Sequence, residues 1–488
     1  MAQASGSSHS IAQSLLTTLD LLRGRITRQE QLLFVGCLLV IKSISANAEL
    51  ADPDSWAAES SHPKQPSWWD RIENGQGDLL ARMLQHEFDR VAEKYEGLRP
   101  VFQMVDIRRL LDRLGGTYDL RRVIHQISYL PSDWGDDYLG EVFEYLLIQS
   151  TLQDVKYGGA YATPASVIRL LVALADPHAG MSICDPACGL GRFLLESANY
   201  VGRADLSAGR VPSQDRQLVL EGQEINTDTW ALCKLNLFLH GLRDTRIELG
   251  DTLRNPKLID RGVLHTYDRV LTNPPFNLTN WGVDVAQRDP YGRFGFGVPS
   301  SSADYAFLQH VVSTLNPWGI GVVVLAPGVL IRAGAERRIR ERMVQSDIFE
   351  AIIHLPKSLF YGTSIPAVVL VLNRQKPENR AKRILFVDAS AAQTDSRGGL
   401  EANLAQTIVG YYRNFSGPEQ HVRIATIEEI AANNFDLNVN RYVTALPDRS
   451  SLHFAEALER TTLLERKRDH LAEVMNQLLQ ELEAHLPL

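Results

Sequence analysis

Met181-Ser182-Ile183-Cys184-Asp185-Pro186-Ala187-Cys188-Gly189-Leu190-Gly191-Arg192-Phe193 is the stretch on which the fold turns. A short apolar run stops at an acid, passes through a Gly-x-Gly turn and opens a helix. Glycines let the backbone adopt positive φ and lie close to a ligand, and a helix start aims free N–H groups at it. A pyrophosphate site would want a third glycine, but position 194 is Leu194, and Asp185 at the strand tip favours a cationic ligand instead.

Outward from this turn, short apolar runs bounded by Gly, Asn, Asp or Pro alternate with helical spacing. They predict strands at Met181–Cys184, Leu218–Leu220, Ile247–Leu249, Arg269–Leu271, Gly321–Ala326, Ala351–Leu355 and Ala367–Leu372. Such alternation argues for an α/β fold, a Rossmann-like parallel sheet with helices on both faces. Ligands of open α/β sheets bind beyond the carboxyl ends of the strands. Three acids sit at such ends: Asp185, Glu224 and Asp251. Glu224 is placed to accept from ribose hydroxyls, and Asp251 from the exocyclic amine of an adenine. Any one of them alone could be a turn or cap residue, but three in order, each after its own strand, favour a ligand.

Before residue 150 the pattern is helical instead, with apolar spacing over Ile11–Arg23, Gln29–Ser45, Leu79–Glu96 and Ile107–Leu114. After about residue 445, Leu452–Leu486 reads as an amphipathic helix, which packs on its own domain or is offered to a partner. Three segments follow: a helical amino-terminal domain, 1–150; an α/β domain, 151–445; and a carboxyl-terminal helix, 446–488.

Composition narrows the class. Hydrophobic residues at 44% and charged residues at 22% exclude disorder and a pure coiled coil. Leu32–Ile41 is too short to span a bilayer, and Met1–Ser10 lacks a basic lead into an apolar stretch, so a cytoplasmic protein is expected. Four cysteines cannot form a disulfide framework, and Cys184-x3-Cys188 lacks the further ligands of a zinc site. With 58 acids against 50 bases the chain is no simple polyanion binder. Arg332, Arg337, Arg338, Arg340 and Arg342 form a basic stretch that reads as a solvated helix face or as a phosphate contact.

The motif that points to chemistry is Leu271-Thr272-Asn273-Pro274-Pro275-Phe276. Two prolines lock φ and remove two donors, leaving a rigid turn with bare carbonyl acceptors, and the Asn273 side chain adds another. An amine delocalised into a ring is a poor nucleophile; two acceptors gripping its hydrogens favour the geometry needed for attack. Phe276 offers a face for stacking the ring. A proline turn that merely closes a strand would explain the prolines but not the flanking Asn and aromatic.

These blocks resemble those of the N6-adenine DNA methyltransferases: Asp185–Phe193 is similar to their motif I and Asn273–Phe276 to motif IV, while Tyr161-Ala162-Thr163-Pro164 resembles motif X, giving the gamma order. Further stretches resemble the modification subunit of type I restriction-modification systems: Leu19–Gly24, Leu139–Tyr145, Ser302–His310, Ile353–Pro356 with Leu359–Pro366, and Asn434–Asn438 with Arg441–Val443. The resemblance implies a class I methyltransferase sheet and S-adenosylmethionine as cofactor. It implies cofactor contacts from Tyr161, Thr163, Pro164, Asp185, Ala187, Gly189, Gly191, Glu224 and Asp251, and catalysis by Asn273, Pro274, Pro275 and Phe276. It also implies methylation of an adenine flipped from double-stranded DNA, in a complex with a specificity subunit, a second copy of the chain and, in some assemblies, a restriction subunit. Ala162 stands where an aromatic is usual in the family and Leu190 where a small hydroxyl residue is usual; both bear on cofactor affinity. Rival readings are an RNA or protein-glutamine acceptor, or a catalytically idle scaffold of a defence complex.

Overall fold

Thr27 and Glu30 start the helical layer with a reciprocal cap. The Thr27 amide donates to Glu30 Oε2 at 2.6 Å and the Glu30 amide to Thr27 Oγ1 at 3.2 Å. The helix they begin, Arg28–Ala46, is buried almost all round from Leu32 to Ile44 and so lies in the middle of its layer. Helices Gly77–Lys94, Ile107–Leu114, Tyr118–Ser128 and Tyr138–Val155 accompany it. This computed structural model describes residues 12–46, 77–130, 137–155, 163–207, 217–360, 365–392 and 399–443, with isolated residues between 46 and 77. The described residues up to Val443 form one compact unit; Thr444–Leu488, with the expected partner helix 446–488, lie outside the described residues.

The strands are β1 Ser182–Asp185, β2 Val219–Glu224, β3 Thr245–Leu249, the hairpin β4 Ile259–Asp260 and β5 Val263–Leu264, β6 Tyr267–Thr272, β7 Leu315–Leu325, β8 Phe349–His354, β9 Val368–Asn373, β10 Arg383–Asp388 and β11 Val422–Thr426. Nine of them form one sheet in the order β11-β10-β8-β9-β7-β6-β1-β2-β3. The β1, β2, β3, β6 and β7 neighbours pair in parallel, as do β8 and β10. Two strands depart from the all-parallel expectation: β9 runs against both β7 and β8, and β11 against β10. An antiparallel partner needs no helical crossover, and no helix is assigned between β8 and β9 among the described residues.

Period-two alternation divides the sheet's apolar residues between two layers. Ile183, Leu271, Ala351 and Ile353 join one core cluster, and Cys184, Val270, Ile352 and Leu370 the other. The first cluster is continuous with the helical layer. Helix Thr227–Leu239 lies between β2–β3 and the helices Arg28–Ala46 and Tyr138–Val155, buried on nearly every side. A Cβ on Gly36 would come within 2.8 Å of both the Leu235 and the Phe143 side chains, so the bare glycine backbone is what makes room for them. The chain passes from β1 outward through β2 and β3 on one side, and from β6 to β7 on the other. The switch point therefore lies between β1 and β6, where such a sheet opens a crevice at its carboxyl edge.

Candidate active site

A cavity of about 570 Å³ opens at this switch point. Eight of the thirteen expected site residues line it: Ala187, Gly189, Glu224, Asp251, Asn273, Pro274, Pro275 and Phe276. Asp185, Gly191, Thr163 and Pro164 are not among the lining residues, and Tyr161 lies outside the described residues, as does Ala162.

The turn after β1 is built as its glycines foretell. Gly189 and Gly191 have φ of +54° and +77°. A Cβ at Gly189 would meet nothing, leaving bare backbone toward the cavity, whereas one at Gly191 would come within 2.8 Å of Cys233 Sγ. Glu224 ties this turn to the end of β2: one carboxylate oxygen accepts from the Gly189 amide at 2.9 Å, the other from the Asn226 amide at 2.8 Å. Asp251 Oδ1 caps its own turn, accepting from the Leu253 and Arg254 amides at 2.9 and 3.0 Å. The cap reading of Asp251 is thus true of one oxygen, and the residue still lines the cavity.

Asp185 is fully buried, its Oδ1 accepting from the Ala187 amide at 3.1 Å while Oδ2 has no hydrogen-bond partner. Burial pushes its carboxyl up to about 7; the Ala187 amide and the Thr272 hydroxyl act against the rise, and the Glu224 charge adds to it. An acid raised above its unfolded value binds more protons in the native state. Its contribution is therefore complete below about pH 4 and lost as pH rises through about 7. Asp185→Asn keeps the acceptor for Ala187 and removes this loss. The variant's melting temperature, in the absence of ligand, should match the parent's at pH 4 and exceed it increasingly toward pH 8. A constant difference across that range would refute the assignment.

Asn273, at the end of β6, donates from Nδ2 to Thr163 Oγ1 at 2.7 Å, while its Oδ1 is buried without a partner. Pro274 is buried and Pro275 exposed. The Phe276 ring meets Phe360 edge-on, with centroids 5.9 Å apart at 68°. Behind Phe276, the Asn277 amide donates to Asp304 Oδ1 at 3.1 Å. Arg332 bridges Asp304 at 2.6 Å and Glu336 at 3.2 Å and also donates to Asn277 Oδ1. Of the basic stretch, Arg332 thus braces the loop that follows Phe276. Arg340 is buried against the Phe435 and Arg332 carbonyls, so it is neither a solvated face nor a phosphate contact; Arg337, Arg338 and Arg342 are exposed.

The motifs alone did not mark several cavity residues: Gln223, which receives the Lys257 amide and donates to the Asn255 carbonyl; Thr252, whose hydroxyl donates to Pro186 at 2.5 Å; and buried Trp281 and Phe360. Gln223 is one residue from Glu224 on β2, and Phe360 lies in a stretch already noted for its resemblance; Trp281 carries no local signal.

A family model described as N-6 DNA Methylase matches residues 135–450. The chain belongs to the N-6 DNA methylase family. Within it, this is a methylase subunit of the type I restriction-modification kind, an adenine-specific DNA methyltransferase. It is 33% identical to the type I restriction enzyme MjaVII methylase subunit of Methanocaldococcus jannaschii over 79% of this chain and 67% of that one. It is 29% identical to the HindI methylase subunit of Haemophilus influenzae over 79% of this chain and 88% of that one. Among solved structures, the type I methyltransferase subunit from Streptococcus thermophilus superposes with a TM-score of 0.73 at 25% identity, covering 90% of this chain and all of that one. The family fold accounts for the Rossmann-like sheet. No helix among the described residues is long and apolar enough to cross a membrane.

Proposed function

We propose that this N-6 DNA methylase transfers a methyl group from S-adenosylmethionine to the N6 amine of an adenine rotated out of double-stranded DNA, in the cavity between β1 and β6. The observation that carries the reading is Asn273: its Oδ1 is a buried acceptor with no partner in the cavity wall, and its Nδ2 is already taken by Thr163. A buried polar atom left unpaired costs about 1–3 kcal/mol. An amine hydrogen arriving there recovers that cost, and the Pro274 carbonyl supplies a second acceptor. Phe276 gives the ring a face to stack on, with Phe360 at its edge.

The residues present fit the cofactor. The turn at Gly189 exposes bare backbone that a Cβ would cover, Glu224 presents acceptors of the kind that suits ribose hydroxyls, and Asp251 stands at the next strand end with Oδ2 turned only to a distant Arg254 at 3.6 Å. Asp185, Ala187, Gly191, Thr163, Pro164 and Tyr161 complete the set assigned to it. Bound there, S-adenosylmethionine supplies an activated methyl group on a cationic sulfur. The protein's own part is to hold the target nitrogen by its hydrogens, align it and exclude water, which is positioning and electrostatics rather than nucleophilic catalysis. Extruding the base costs a few kcal/mol, repaid by those contacts.

We assign sequence recognition to a separate specificity subunit, with two copies of this chain and, in some assemblies, a restriction subunit. The net charge of -8 suits such delegation. The same reading takes 1–150 as a helical domain, 151–445 as the methyltransferase domain and 446–488 as the helix that meets the specificity subunit, in the cytoplasm. The test is labelled-methyl transfer by the assembled complex to duplex DNA, RNA and protein acceptors, with methylated positions mapped in cellular DNA with and without the chain. N6-methyladenine confined to the duplex is the expected result. Label in RNA or in protein glutamine, or no binding of the donor at all, would overturn the reading.

A further inference from the structure

The helix Tyr138–Val155 carries Glu144, a half-buried acid that is not among the expected cofactor or target residues. Its Oε1 accepts from Arg192 Nε at 2.9 Å. Arg192 opens helix Arg192–Ser207 directly after Gly191, and its other arm donates from NH1 to the Thr163 carbonyl at 2.8 Å. Thr163 in turn accepts from Asn273 Nδ2 at 2.7 Å. The side chains of Arg192 and Glu144 are only 16% and 25% exposed, so the pair is largely shielded from water. Three contacts thus connect the helical layer to the amide at the end of β6.

We propose that Arg192, held by Glu144, is a positioning residue for methyl transfer: it pins Thr163 where the threonine hydroxyl fixes the Asn273 amide, leaving Oδ1 to the target amine. The proposal rests on the reading that Asn273 grips that amine. An asparagine's terminal torsion is broad and nearly two-fold, so an untethered amide turns readily and presents NH2 where an acceptor is needed. Two donors facing each other would repel. The guanidinium suits the task because Nε and NH1 are set in one rigid fork and serve two partners at a fixed spacing, which a lysine's single ammonium cannot do. A misplacement of about 1 Å at a reacting group can cost on the order of 100-fold in rate.

The test uses the full chain in its methylating complex, with single-turnover transfer at saturating donor and DNA, donor affinity by titration, and melting temperature. Arg192→Lys should slow transfer roughly 10- to 100-fold at saturating donor, well beyond whatever donor affinity is lost through Thr163, with the DNA concentration for half-maximal rate changed by no more than about threefold. Glu144→Gln should show the same pattern, weaker. The double variant should be no slower than Arg192→Lys alone, because both act through one chain of contacts. Additive losses, or a rate that falls only in step with binding and melting temperature, would overturn the proposal. Should Arg192→Lys fail to fold, Glu144→Gln decides between the same outcomes. If Asn273→Ala remains active, it is the site reading that falls; if Asn273→Ala is inactive while Arg192→Lys transfers normally, only the positioning role falls.

Discussion

Asn273→Ala should lower methyl transfer by at least about 10²–10³-fold, the size of loss seen when a preorganised hydrogen-bonding group is removed from a reacting centre, while S-adenosylmethionine binding stays within a few-fold of the parent. The reason is positional. Most of the donor's expected contacts, among them Gly189, Glu224 and Asp251, stand at the ends of β1, β2 and β3, whereas Asn273 follows β6 on the other side of the switch point and touches that set only through Thr163, which Arg192 also holds. Its Nδ2 bonds Thr163 and its Oδ1 bonds nothing, so truncation removes one acceptor from the cavity and one contact from Thr163. Asn273→Asp is the finer probe. It keeps the acceptor but loses the Nδ2 donor and adds a charge, and it should fall between the two. Parallel loss of transfer, donor binding and melting temperature in Asn273→Ala would mean that the residue holds the fold instead.

A second large effect is expected on stability. Arg293 is almost completely buried, with an exposed fraction of 1%, and pairs with the equally enclosed Asp289 at 2.7 Å. It also donates to the Thr252 carbonyl at 2.9 Å and the Leu253 carbonyl at 2.7 Å, fastening the loop that follows Asp251. Removing one member of a buried pair typically costs about 3–5 kcal/mol, because the remaining charge is stranded. Arg293→Met should therefore lower the melting temperature by several degrees and, by freeing the Asp251 loop, weaken donor binding. Arg293→Met with Asp289→Leu should recover much of the stability but not the donor affinity, since the carbonyls stay unclamped. His310, whose Nδ1 lies 3.3 Å from Arg293, is pushed down to about 3 by burial and then by the Arg293 charge, so it stays neutral and adds no second cation to this pocket. An Arg293→Met protein with unchanged melting temperature would show that the clamp contributes little.

Much of this architecture was legible because it is local. The glycines at 189 and 191, the acids after β1, β2 and β3, and the proline pair at 274–275 each constrain a few consecutive bonds, and the sheet places their turns around one cavity. Strands β1, β2, β3 and β6 to β9 all fall on or beside the predicted runs. β10 was missed although Ile384–Val387 is a clean apolar run, and β11 because Val422–Thr426 alternates with polar residues at a sheet edge. The reversal of β9 was hidden because direction depends on the length and path of a connection, not on the strand's own residues. Most hidden were the side chains that act across long separations. Nothing near Arg293 announces that it will meet the carbonyls of 252 and 253, and nothing near Thr163 announces Asn273; those pairings exist only once the layers close.

Helix Thr227–Leu239 presents apolar side chains in every direction, to β2 and β3 on one side and to the helices before residue 155 on the other. An excised fragment beginning near residue 156 would keep every strand of the sheet yet uncover Leu235, whose side chain lies against the bare backbone of Gly36. Such a truncation should self-associate, since a bared apolar stripe invites it. The early helices thus cover an apolar seam of the enzyme, and a chain that kept the sheet without them would need that seam rewritten.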